Sequence, residues 1–82
     1  MSRITFTDEQ LLDAFEYLDS LRTSGVTNMN GATPYIQRRF GYGDDEAIKL
    51  LLLWQKTFSR KAIDTVDNRV AAALALLAHE VP

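Results

Sequence analysis

The sequence predicts an all-α fold, with residues 1–82 forming a single helical domain of four helices, and three observations predict it. Apolar residues recur at spacings of three and four through most of the chain. Capping residues and glycines stand where the first two helices should start and stop. Eighty-two residues without a cysteine and with one histidine, His79, leave neither disulfides nor a zinc site to staple the chain. The core must then come from well-packed helices or from association with a second chain.

The first helix is predicted over residues 8–23. Thr7 and Gln10 form a capping box, Asp8 and Glu9 suit the positive end of the helix dipole, and Phe6 and Leu11 occupy the two positions of a hydrophobic staple. Leu11, Ala14, Phe15, Leu18 and Leu21 then make one apolar stripe. Gly25 is placed to close the helix in a left-handed cap, with Val26 folding back on Leu21.

Residues 25–33 are rich in turn-forming types, with Met29 expected to plug the core. Thr33 before Pro34 predicts an N-cap followed by proline at the first helical position, and a short second helix from Pro34 to Phe40. Ile36 and Phe40 should face inward. Gly41 ends this helix, and Tyr42 is either tucked back toward Ile36 or exposed as an interface anchor.

The third helix is predicted to start near Gly43 or Asp44. Asp44, Asp45 and Glu46 crowd its first turn, and Ala47, Leu51, Trp54 and Phe58 form its stripe. The run Leu50-Leu51-Leu52-Leu53-Trp54 makes it apolar on nearly every side. Such a helix is central or belongs to an interface. A connection is expected within residues 59–64, with Ser59, Asp64 and Thr65 as possible caps, and a fourth helix runs from there to about His79. Ile63, Val66, Val70, Ala73, Leu74 and Leu77 mark its buried face, and its alanines favour close packing. The expected architecture is a three-helix core containing a helix-turn-helix-like corner, with the C-terminal helix packed across it.

Composition narrows the function classes. At 46% hydrophobic and 24% charged, the chain is ordinary globular material. Leu50–Trp54 is too short to cross a bilayer, and the N-terminus lacks a secretory pattern, so a cytoplasmic location is expected, with no membrane partner. The net charge of −2 is uneven: residues 1–33 carry −3, residues 34–61 carry +3 and residues 62–82 carry −2. The basic middle contains Arg60 and Lys61 as well as four cations considered below. It falls short of the strong positive stripe of a nucleic-acid binder.

No catalytic signature emerges. Gly41-Tyr42-Gly43 begins like a dinucleotide fingerprint, but Glu46 occupies the place of the third glycine and no strand precedes it. A Walker loop and a Gly-x-Ser-x-Gly elbow are absent. His79 is isolated as a metal ligand or a general base, and suits instead the negative end of the last helix. Asp44-Asp45-Glu46 lacks calcium-loop spacing. The expectation is a non-enzymatic protein with no cofactor, no metal and no small-molecule substrate.

Thr33 to Phe58 reads as a short helix, a tight turn and a longer helix. The phrase Ile36-Gln37-Arg38-Arg39-Phe40-Gly41-Tyr42 resembles the positioning helix and turn of helix-turn-helix and winged-helix DNA binders over residues 33–51. The resemblance implies a DNA-binding regulator using Arg38, Arg39, Lys49 and Lys56. Its weakness is electrostatic. The residues that would face base edges are Asp44, Asp45 and Glu46, which repel phosphate.

A second pattern is Thr27-Asn28-Met29, Gly31-Ala32, Pro34-Tyr35-Ile36, Phe40-Gly41, Glu46-Ala47, Leu53-Trp54 and Phe58. It resembles small proteins encoded by phages and prophages, over residues 7–58. That resemblance implies a phage-borne context and no particular mechanism. Combined with the near-neutral charge and the acidic turn, it favours a protein-binding module, an adaptor or inhibitor of a host or defence protein. Tyr42, Asp44, Asp45 and Glu46 are the candidate contact residues, set to meet a basic partner. The third and fourth helices also promise more apolar surface than a monomer of this size readily hides, so a homo-oligomer is expected.

Overall fold

A computed structural model describes residues 4–25, 27–58 and 65–79. Four α-helices follow in order: α1 (Asp8–Ser24), α2 (Thr33–Phe40), α3 (Asp44–Thr57) and α4 (Val66–His79), with a 3₁₀ turn at Met29–Gly31. Val26, Ser59, Arg60, Lys61, Ile63, Asp64 and the side chain of His79 lie outside the described residues. Among those described, no helix is long and apolar enough to cross a membrane. The domain measures 37 × 30 × 19 Å, and its thickness is that of two helix layers at about 10 Å each.

The start of α1 is as the sequence predicts. Gln10 N–H donates to Thr7 Oγ1 at 3.2 Å, and Thr7 N–H donates to Gln10 Oε1 at 2.9 Å. Leu11, Ala14, Phe15, Leu18 and Leu21 are all buried. These residues face α4 and α3, while α2 packs on α3. Val70, Ala73 and Leu77 bring α4 into the main core, with Val66 and Leu74 partly buried beside it. The walls of that core are α1, α3 and α4, so the C-terminal helix is one of its walls more than a cover over a finished core. The contribution of α2 is smaller, with Ile36 as its buried residue.

Four local expectations change. Ala32, not Thr33, is the N-cap of α2, and it makes no side-chain cap bond. The 3₁₀ turn leads straight into the helix, so the Ala32 carbonyl already accepts from Tyr35 and Ile36 N–H. Met29 is only partly buried, and Asn30 faces water, holding the Gln55 amide of α3 at 3.2 Å. Phe40 is also partly buried, because it belongs to an aromatic row described below. Phe58 lies just past α3, where its ring meets Trp54 at 4.9 Å and the Arg22 guanidinium at 4.7 Å.

Gly41 ends α2 at φ 77°, and its N–H donates to Gln37 O at 2.8 Å. An added Cβ would meet nothing within 4 Å. Gly41→Ala should therefore cost about 1 kcal/mol through backbone strain alone, read as a lower urea midpoint with an unchanged slope.

Candidate protein-binding surface

Four rings run in a row where α1, α2 and the turn after α2 meet. Tyr17 meets Phe40 edge-on at 5.6 Å, Phe40 meets Tyr42 at 5.8 Å, and Tyr42 meets Phe6 edge-on at 5.9 Å. Phe6 is buried by the staple that starts α1, and the other three are half-buried. The row follows from local rules. Gly41 lets the chain reverse after Phe40, and the reversal lays Tyr42 back over its neighbour. Tyr42 is thus tucked in against Phe6 and Phe40 and is half-buried.

Carboxylates flank this row. Burial raises the Tyr42 phenol above its ordinary pKa of 10.0, and the charges of Glu46 and Asp13 push it further in the same direction. A hydrogen bond with Gln10 opposes the shift. Tyr42 therefore sits in the negative potential of two elements. Beside it, Asp13, Glu16, Tyr17, Ser20, Arg39 and Phe40 line a cleft of about 440 Å³ between α1 and α2. The sequence does not distinguish Asp13 and Glu16, because only the packing of α1 beside the turn brings them to Tyr42 and Phe40.

The acidic triplet does not act as one group. Successive residues on a helix diverge by about 100°. Glu46 turns toward Tyr42 and also accepts the Gly43 N–H at 3.1 Å, forming half of a capping box. Asp44 turns toward α2, where its carboxylate accepts the Gln37 amide at 2.6 Å. Asp45 is exposed on the outer side of α3. Of the four candidate contact residues, Tyr42 and Glu46 are brought together, and Asp44 and Asp45 lie on other sides of the same turn.

The four candidate cations divide between two helices. Arg38 lies over the Tyr35 ring and Arg39 over the Phe40 ring, each at 5.2 Å, at the C-terminal end of α2. Lys49 and Lys56 stand two turns apart on α3, Lys56 on the lip of a groove of about 480 Å³ formed with Ala72 and Leu76 of α4. The Gln37–Asp44 bond sets the acidic first turn of α3 against the turn of α2 that carries both arginines.

A polar cluster lies on another side of α1. Arg69 of α4 grips Asp19 of α1 with two parallel bonds of 2.8 and 2.9 Å, and the Trp54 indole N–H donates to the same carboxylate at 2.9 Å. Arg69 also lies over the Phe15 and Phe58 rings. The available signal is its spacing: Arg69 stands three residues after Val66 and four before Ala73, on the apolar face of α4. The cluster joins three helices and serves the fold. Among the described residues no group of three or more Asp, Glu or His side chains could hold a metal ion. Neither a family model, nor a curated protein, nor a solved structure matches the chain.

Proposed function

We propose that this chain is a non-enzymatic protein-binding module whose aromatic and acidic cleft between α1 and α2 receives a basic side chain of its partner. The observation that carries this reading is the row Tyr17–Phe40–Tyr42 flanked by Asp13, Glu16 and Glu46, with the chain's own Arg39 already over the Phe40 ring, so that the incoming cation meets the Tyr17 and Tyr42 rings and the carboxylates. Ring faces attract a cation by about 0.5–2 kcal/mol, and a neighbouring carboxylate adds a charge-assisted hydrogen bond of about 1.5–3 kcal/mol. Lysine or arginine of a partner meets both demands. Asp44 and Asp45 extend the negative field around the turn and steer a basic surface toward it. The phage-like residue pattern supports an adaptor or an inhibitor of a host or defence protein as the biological setting.

The competing reading is a helix-turn-helix regulator holding duplex DNA through Arg38, Arg39, Lys49 and Lys56, and the exposure of Arg38, Arg39 and Lys56 favours it. One experiment separates the two. The protein is used as bait in host lysate with and without nuclease, alongside an Asp13→Asn/Glu46→Gln variant. Glutamine keeps the capping bond to Gly43, so the variant loses charge and not the helix start. A protein partner retained after nuclease, and bound about tenfold or more weakly by the variant, is expected. Nucleic acid that nuclease removes, and that Arg38→Ala/Arg39→Ala no longer recovers, would replace this reading with the regulator.

A further inference from the structure

The outer face of α3 is unlike the rest of the surface. Ile48 and Leu52 are 48% and 45% exposed, the large apolar side chains left most open to water among the described residues. At about 100° per residue, Asp45, Ile48, Leu52 and Lys56 fall within one outward sector of α3 about 80° wide, with the partly buried Lys49 just outside its edge. Its buried side is formed by Ala47, Leu50, Leu51, Leu53 and Trp54. Asp45 and Lys56 are exposed at the two ends of this sector, so it runs from negative through apolar to positive.

That order is self-complementary. A two-fold axis perpendicular to α3 at residue 50 places Ile48 opposite Leu52 of a second copy, and Leu52 opposite its Ile48. The same axis brings Asp45 to within one residue, about 1.5 Å along the helix, of the level of Lys56 in the other copy. A closed two-fold contact requires one patch to complement itself in this way. A parallel arrangement would set Asp45 against Asp45 and Lys56 against Lys56.

We propose that α3 is a homodimerisation helix, and that two copies of this chain pair antiparallel through Ile48 and Leu52, with Asp45 and Lys56 setting the register. The inference does not rest on the cleft between α1 and α2, because Tyr42 precedes α3 and Glu46 lies on a different side of it from Ile48 and Leu52; Asp45 is the one residue that both readings use. In the dimer two such clefts are available at once, and a partner with two basic sites gains avidity from both.

Sedimentation velocity from low to high micromolar concentration tests the proposal. The wild-type chain should pass from monomer to dimer, and Leu52→Glu should remain monomeric with unchanged helix content by circular dichroism. Asp45→Lys and Lys56→Glu should each weaken the dimer about tenfold by placing like charges opposite one another twice per dimer. The double variant Asp45→Lys/Lys56→Glu should restore it. A wild-type monomer at every concentration, or a dimer indifferent to Leu52→Glu, would overturn the proposal. Failure of the charge swap to restore what the single reversals remove would overturn the antiparallel register.

Discussion

Asp19→Ala is expected to lower the stability of this domain by about 3 kcal/mol, whereas Arg69→Met costs roughly 1 kcal/mol. The asymmetry comes from burial. The Arg69 side chain is 7% exposed and Asp19 is 32% exposed, so each responds differently to losing its partner. Removing Asp19 strands a buried guanidinium and the Trp54 N–H together. Removing Arg69 leaves a carboxylate that still accepts from Trp54 and still reaches water, while methionine fills much of the vacated space. For a domain of this size the Asp19→Ala loss lowers Tm by more than about 10 °C. Equal losses in the two variants, measured by urea titration, would refute the assignment of Arg69 as the costly group.

The same cluster sets an acid dependence. Burial raises the Asp19 pKa, but the hydrogen bonds from Arg69 and Trp54 and the charges of Arg69 and Arg22 outweigh it, and the net shift is below 3.8. With the folded value depressed, the unfolded chain takes up the proton first as pH falls. The contribution of Asp19 is therefore complete above the unfolded value and is lost as pH drops through the folded one. Below about pH 4 the wild type should lose stability more steeply than Asp19→Asn, which has no proton to gain.

Phe15→Ala should have the larger effect still. Phe15 is fully buried at the centre of α1, beneath the Arg69 guanidinium and against the seam that α1 shares with α4. Truncating a buried phenylalanine costs about 3–5 kcal/mol in lost transfer energy and residual cavity. An 82-residue domain at about 0.05–0.15 kcal/mol per residue holds only about 4–12 kcal/mol in total. The variant is expected to show a cooperative transition far below that of the wild type, or none at room temperature. A midpoint within a few degrees of the wild type would mean that α1 and α4 do not share one core.

The capping box at Thr7, the stripe of α1 and the glycine at the end of α2 are legible in the sequence because they depend on residues within one or two turns. The acidic start of α3 is legible for the same reason. The sequence places the beginning of α2 one residue late. Thr33 and Pro34 signal a helix start in isolation, while the 3₁₀ turn before them lets the Ala32 carbonyl begin the helical bonding.

The candidate site was half legible. Tyr42 and Glu46 stand four residues apart, and sequence alone names both. Asp13 lies 29 positions before Tyr42, and nothing in the spacing of α1 distinguishes it from Glu9 or Glu16 as an exposed carboxylate. Its approach to Tyr42 depends on how α1 and the turn after α2 are packed.

Helix number, the start of α1, the end of α2 and the apolar face of α1 were therefore determined by the sequence, since hydrogen bonding and burial along a helix repeat every few residues. Tertiary structure alone decided that Arg69 meets Asp19 across 50 positions, that α4 walls the core, and that Asp44 meets Gln37 of α2. The physical reason is that a helix's periodicity specifies which side is buried and leaves open which neighbour covers it. That choice is made by the packing of all four helices together.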